Sequence, residues 1–185
     1  IEKHFPELHE KIILSDFLKL DLTEVFNGES MVIIGNFPYN ISSQIVFKAI
    51  DNKNIVTEMV GMFQKEMADR IISKPDIKDY SVISILTQAY FDGNILMKLA
   101  PGSFNPPPKV KSSVMTLTRR TDVPEVDHKL LVKIVKAGFN QRRKMLLNAL
   151  KPITNRTDLP FANKRAENLD YLQFVELTKL IFEVL

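Results

Sequence analysis

Two hydrophobic rhythms divide this chain, and the place where one replaces the other limits what it can fold into. Up to about residue 120, short apolar runs alternate with stretches of helical period. Lys11–Ser15, Met31–Gly35, Val60–Phe63, Ile95–Leu99 and Ser113–Thr118 have the length and composition of strands. Between them, Ile45, Val46, Ala49 and Ile50 share one helical face, with Ser42 or Ser43 as the expected N-cap. Lys65–Ser73 reads as a helix, and so does Ser81–Phe91, although Val82, Ile83 and Ile85 keep a strand open there. Strands alternating with helices imply an α/β sheet with crossover connections. Continuous apolar runs suit a sheet covered on both faces. Past Thr121-Asp122-Val123-Pro124 the helical period stands alone, at Leu130, Leu131, Ile134 and Val135, at Met145, Leu146, Ala149 and Leu150, and at Leu172, Val175, Leu177, Leu180 and Ile181. The expected organisation is an α/β domain over residues 1–121 and a small all-helical domain over residues 122–185.

Charge adds a second constraint. The net charge is only +3, but it is segregated. Lys98, Lys109, Lys111, Arg119 and Arg120 fall in a stretch without an acid, and so do Arg142, Arg143, Lys144 and Lys151. Segregation of this kind suits a basic face for a polyanion, or else two ordinary solvated surfaces. The chain has no cysteine, which excludes disulfides, thiolate nucleophiles and cysteine metal sites and fits the cytoplasm. No apolar run approaches the ~20 residues of a membrane span. His4, His9 and His128 lack ligand spacing, so no metal is expected. The opening Ile1-Glu2-Lys3-His4-Phe5 has neither an initiator Met nor a signal pattern, and is expected to be an internal start, a processed end or part of something longer.

The segment richest in chemistry is Gly35-Asn36-Phe37-Pro38-Tyr39-Asn40-Ile41-Ser42, at the carboxyl end of an apolar strand, where open α/β sheets bind ligands. An Asn side-chain oxygen and a nearby backbone carbonyl supply two acceptors at fixed spacing. Pro38 fixes φ and steadies its own carbonyl, and Tyr39 offers a face on which a flipped-out base can stack. Two acceptors on the two N–H bonds of an adenine amino group draw its nitrogen towards sp³ geometry and free its lone pair. The same four residues also make an ordinary turn.

Asn36-Phe37-Pro38-Tyr39-Asn40-Ile41-Ser42-Ser43 resembles the Asn-Leu-Pro-Tyr-Asn-Ile-Ser motif of the small-subunit ribosomal RNA adenine dimethyltransferases, with Phe37 where Leu is usual. The resemblance extends to Phe63-Gln64-Lys65-Glu66, to the loop Phe104-Asn105-Pro106-Pro107-Pro108-Lys109-Val110-Lys111-Ser112, to Phe139–Lys144 and to Arg165–Leu169. It implies a partial Rossmann-like class I methyltransferase sheet followed by a helical C-terminal domain, and transfer of methyl groups from S-adenosylmethionine to two adjacent adenines near the 3′ end of small-subunit rRNA. The partner would be an assembling ribosomal subunit, met by a monomer. Asn36 and Pro38 would accept from the target amine, Asn36 also lying against the cofactor. Tyr39 would stack on the base and Phe104 close over it, unless Phe104 simply packs in the core. Asp16 would hold the amine of the cofactor's adenine, although by its residue type it is also a turn or cap residue. Lys109, Lys111, Arg142, Arg143 and Lys144 would meet RNA phosphates.

The family's usual opening, a strand and a Gly-rich loop followed by a strand ending in an acid, has no counterpart among the six glycines. About 80 residues of that N-terminal part are expected to be outside this chain, by the size of a mononucleotide-binding half, so the 185 residues alone should bind S-adenosylmethionine weakly or not at all. Two other readings stay open: the large-subunit rRNA adenine methylase of the macrolide-resistance type, and a non-catalytic RNA-binding assembly factor.

Overall fold

The computed structural model describes residues 5–182. Its frame is a four-stranded sheet made of β1 (Met31–Asn36), β2 (Val56–Gln64), β3 (Phe91–Leu99) and β4 (Ser112–Arg119), in the order β1-β2-β4-β3. After the single turn of α1 (Leu22–Val25), β1 leads into α2 (Ser42–Asp51), which crosses over to β2. A parallel pair needs such a crossover, and β1 and β2 are parallel, with Ile33 opposite Met59 and Gly35 opposite Gly61. The other two pairings, β2 with β4 and β3 with β4, are antiparallel. The crossover expectation therefore holds for two connections, β1 to β2 and, past the position of β4, β2 to β3 through the helices of residues 65–90, while the Pro-rich segment joins β3 to β4 directly.

Period-two alternation sorts the sheet into two faces. Ile33, Met59, Phe63, Met115 and Leu117 lie on the buried face, within one cluster that also holds the inner residues of the helices. On the other face of β1, Val32 is 51% and Ile34 78% exposed, so this strand is covered on one side, not both. The run Lys11–Ser15 is not a strand either. A 3-10 helix takes Pro6–Lys11, and Leu14 is fully exposed. Among the described residues no strand pairs with that run, and apolar composition without a ladder partner does not make a strand.

Ser42 and Ser43 do not cap α2. Ile41 holds the cap position, and Ser42, already helical, donates its hydroxyl to the Tyr39 carbonyl at 3.0 Å. Next come α3 (Lys65–Ile71) and α4 (Val82–Tyr90). The β-branched start of α4 is helical because the segment is buried on nearly every side, as a central helix must be. Ser84 accepts the Ser81 N–H at 3.0 Å and donates to the Arg70 carbonyl, tying the α4 start to the α3 end. The helices α5 (His128–Asn140), α6 (Leu146–Ala149) and α7 (Tyr171–Phe182) follow the last strand. Asp127 caps α5 by accepting the Leu130 N–H at 2.9 Å. Leu131, Ile134 and Val135 are buried with Phe174, Val175 and Leu177 in the same continuous cluster as the sheet. At the start of α5, His128 spans from the Tyr90 hydroxyl (3.1 Å) to Asp51 (3.0 Å), joining the ends of α2 and α4.

Candidate active site

The strand directions gather three segments at one end of the sheet. The parallel strands β1 and β2 both finish there, β4 begins there, and β3, antiparallel to β4, finishes there. Residues 37–41, the Gln64–Lys65 junction and the loop 100–111 therefore emerge side by side. Two hydrogen bonds tie them together: the Lys65 N–H donates to the Lys111 carbonyl at 2.9 Å, and the Tyr39 hydroxyl meets the Ser112 hydroxyl at 2.6 Å.

Two glycines set the path of the first segment. The Phe37 ring lies over both Gly35 and Gly61. A Cβ added at Gly61 would stand 2.1 Å from that ring, and one at Gly35 would stand 2.7 Å from it. The ring also packs against Phe63 with centroids 5.6 Å apart. With Phe37 drawn to the buried face, alternation directs Asn36 to the open face shared with Val32 and Ile34. Asn36 is exposed, and its amide has no hydrogen-bond partner among the described residues. Pro38, at φ −58° and ψ 129°, is exposed too. Its carbonyl accepts the Ile41 N–H at 3.1 Å, which leaves one of its two lone pairs free. Tyr39 is half-buried and opens a 3-10 turn, Tyr39–Ile41. Two acceptors and an aromatic ring thus occupy four consecutive residues, an arrangement suited to a planar amine.

Phe104 lies in the second loop, half-buried and outside the hydrophobic cluster. It follows the 3-10 turn Pro101–Ser103 and donates its N–H to the Pro101 carbonyl at 3.2 Å. Asp16 is exposed and heads a turn: its carboxylate accepts the Leu18 N–H at 3.0 Å and lies 3.8 Å from the Lys19 ammonium. No hydrogen bond or ion pair joins Asp16 to Asn36 among the described residues. Asp16 retains acceptor capacity facing solvent, and Asn36 is unpaired, so both can accept from the amine-bearing rim of a nucleoside cofactor.

The basic residues divide by role. Lys109, Lys111, Arg143 and Lys144 are exposed. Arg142 is half-buried and committed to partners within the protein, with Nε donating to Glu167 at 2.5 Å and a terminal nitrogen to the Lys78 carbonyl at 2.8 Å. Two cations not singled out from the sequence join the exposed set. A bridge between Met145 and Arg165, and the Leu146 N–H donated to the Lys164 carbonyl at 2.7 Å, lay Lys164 and Arg165 alongside Arg143 and Lys144. None of these four forms an ion pair among the described residues. Arg165 opens one of the family-like motifs, but its pairing across about twenty residues has no signature in local sequence. Nor does local sequence mark the Ser112 hydroxyl, whose partner Tyr39 lies 73 residues away. His4 lies outside the described residues, and among these no group of three or more His, Asp or Glu side chains could hold a metal ion. No helix among them is long and apolar enough to cross a membrane.

Known proteins are similar to this chain in sequence and in fold. The family model described as ribosomal RNA adenine dimethylase matches residues 2–183. The ribosomal RNA small subunit methyltransferase A of Bacteroides thetaiotaomicron is 44% identical, over all of this chain and 71% of its own length. Its counterpart in Cytophaga hutchinsonii is 47% identical, over 98% of this chain and 71% of its own length. Among solved structures, a dimethyladenosine transferase from Plasmodium falciparum superposes with a TM-score of 0.76 at 23% identity, covering 98% of this chain and 76% of that one. The 23S rRNA methyltransferase ErmE superposes at 0.63 and 21% identity, covering 96% and 76%. At such identities the two structures speak for the fold, which is the α/β methyltransferase sheet with appended helices.

Proposed function

This chain belongs to the ribosomal RNA adenine dimethylase family, and from that premise we propose that it carries the base-binding half of an enzyme that dimethylates N6 of two adjacent adenines near the 3′ end of small-subunit rRNA. The observation that carries the reading is the end of β1, where an unpaired Asn36 amide, the exposed Pro38 and the tethered Tyr39 stand in sequence beside the loop that bears Phe104.

The donor, S-adenosylmethionine, supplies a methyl group on a sulfonium when bound. Asp16, through its solvent-facing carboxylate, and Asn36 are the residues of this chain that would hold it. The remaining work falls to the protein. The Asn36 oxygen accepts from one N–H of the target amine and the free lone pair of the Pro38 carbonyl from the other. Held so, the nitrogen loses conjugation with the ring and turns its lone pair outward. Tyr39 stacks on the base and Phe104 closes its other face. Catalysis here is positioning and electrostatic complementarity, and needs neither a metal nor a strong base.

The RNA is met through phosphates by Lys109, Lys111, Arg143 and Lys144, joined by Lys164 and Arg165. Arg142 organises that surface from within. Residues 1–121 are read as the C-terminal part of the methyltransferase domain and 122–185 as its helical domain, in a cytoplasmic monomer acting on an assembling subunit. The test is Asn36→Ala in the full-length gene product, with dimethyladenosine in small-subunit rRNA measured by mass spectrometry. Loss of at least a hundredfold in rate is expected from removing one of two aligned acceptors. Unchanged methylation would refute the assignment, and product confined to large-subunit rRNA would move the enzyme to the macrolide-resistance type.

A further inference from the structure

The bond between Tyr39 and Ser112 touches none of the reacting atoms in that reading, yet it joins the two loops between which the target base is placed. Ser112 is fully buried, and its backbone lies in register with Gln64 of β2 and Leu99 of β3. Three strand ends thus meet at this residue, and it moves only if the sheet does. Tyr39 has no such support. It stands in a single 3-10 turn, half-buried, with its carbonyl held by Ser42. A ring on a short turn keeps two side-chain torsions free unless its far end is held, and an O–H···O bond of 2.6 Å holds it.

We propose that Ser112 is a positioning residue for methyl transfer: its hydroxyl fixes the plane of the Tyr39 ring, and with it the gap to the Phe104 loop, which ends where Ser112 begins β4. The proposal rests on the reading of Asn36 to Tyr39 as the base site. It differs from a general packing role, because the bond sets an angle that matters only when a base stacks on the ring. A hydroxyl at the other end of the same bond, that of Tyr39, must then be needed for the same reason and to the same extent.

The test uses the full-length gene product and unmethylated small ribosomal subunits, with kcat and KM measured for Ser112→Ala, Tyr39→Phe, the double variant and Asn36→Ala. Each single change deletes one end of one hydrogen bond, so each should lower kcat by about three- to tenfold, the usual net worth of such a bond. KM should stay within about twofold, and the double variant should be no slower than either single one. Losses that multiply in the double variant, or Ser112→Ala with wild-type kcat, overturn the proposal and leave the base site standing. Full activity in Asn36→Ala overturns the base site and this proposal with it. Thermal midpoints are recorded throughout. If Ser112→Ala does not fold, Tyr39→Phe deletes the same bond while keeping the ring, and an unchanged kcat there overturns the proposal by itself.

Discussion

Gly61→Ala adds one methyl group to the middle of β2, and the structure leaves no room for it. The new carbon would sit 2.1 Å and 2.6 Å from two carbons of the Phe37 ring and 3.1 Å from one of Phe63. The ring cannot slide aside, because its other edge covers Gly35, where a Cβ would meet it at 2.7 Å. Alanine must therefore lift Phe37 off the sheet or spread β1 from β2. Overpacking of this kind costs about 1–3 kcal/mol. For a chain of this size that is a fall in thermal midpoint of about 2–4 °C per kcal/mol. The effect on rate should be larger than the effect on stability. Asn36 and Pro38 flank Phe37 in sequence, so a shift of about 1 Å in the ring passes to both acceptors, and such a misplacement costs on the order of a hundredfold. Calorimetric melting and single-turnover methylation of small subunits measure the two effects. Phe37→Leu removes the clashing ring edge, so Phe37→Leu with Gly61→Ala should recover most of the missing rate. A Gly61→Ala protein with normal melting and rate, or a double variant no better than the single, would refute this account of how the loop is seated.

Two further predictions concern other parts of the molecule. Burial lowers the His128 pKa from its ordinary 6.5, with Lys53 adding to the effect; the hydrogen bond that the ring donates to Asp51 and the charges of Asp51 and Asp127 oppose it. The ion-pair geometry alone would suggest the reverse, but His128 is half-enclosed while Asp51 is open to solvent, so desolvation prevails. Below pH 6.5 the unfolded chain takes up this proton before the folded one does, so stability should fall as the pH drops from 6.5 towards the lower folded-state value. Melting between pH 5 and 8 should show that slope in the native protein and a flatter profile in His128→Gln; identical profiles would exclude His128 as its source. The second prediction separates Arg142 from its neighbours. Arg142→Ala should cost about 1 kcal/mol of stability, discounted for its partial exposure, and leave the salt dependence of RNA binding unchanged. Alanine at Arg143, Lys144, Lys164 and Arg165 should do the opposite, lowering the slope of log affinity on log salt by about one for each phosphate no longer neutralised. Filter binding across a salt series decides between them.

Local chemistry made much of this protein legible in advance. Met31–Gly35 is too apolar to be anything but a buried or half-buried strand, and Asn-Phe-Pro-Tyr after it has few uses other than a turn with acceptors. The change to helical period after Pro124 marks where the strands cease. Local chemistry failed where the deciding partner was distant. Lys11–Ser15 has a strand's composition but no neighbour to pair with among the described residues, and its apolar side chains are exposed. Ser42 and Ser43 are the exception, because there the partner is near: Ser42 gives its hydroxyl to the Tyr39 carbonyl three residues back and is itself helical, so Ile41 holds the cap position. Val82, Ile83 and Ile85 favour strand by residue type, and their place in a segment buried on nearly every side made them helix.

The same division runs through the site. Which atoms could accept a hydrogen bond from an amine was already decided by the residue types at 36 and 38, since an amide oxygen and a carbonyl accept wherever they are placed. Where those atoms point was decided by tertiary structure: by a phenyl ring seated on two glycines in adjacent strands, by a serine that opens a third strand and holds a tyrosine by its hydroxyl, and by a glutamate that withdraws Arg142 from a surface its sequence neighbours occupy. Residue identity specifies chemical capacity within a few bonds, whereas direction and availability depend on contacts made across tens of residues, and those exist only once the chain has folded.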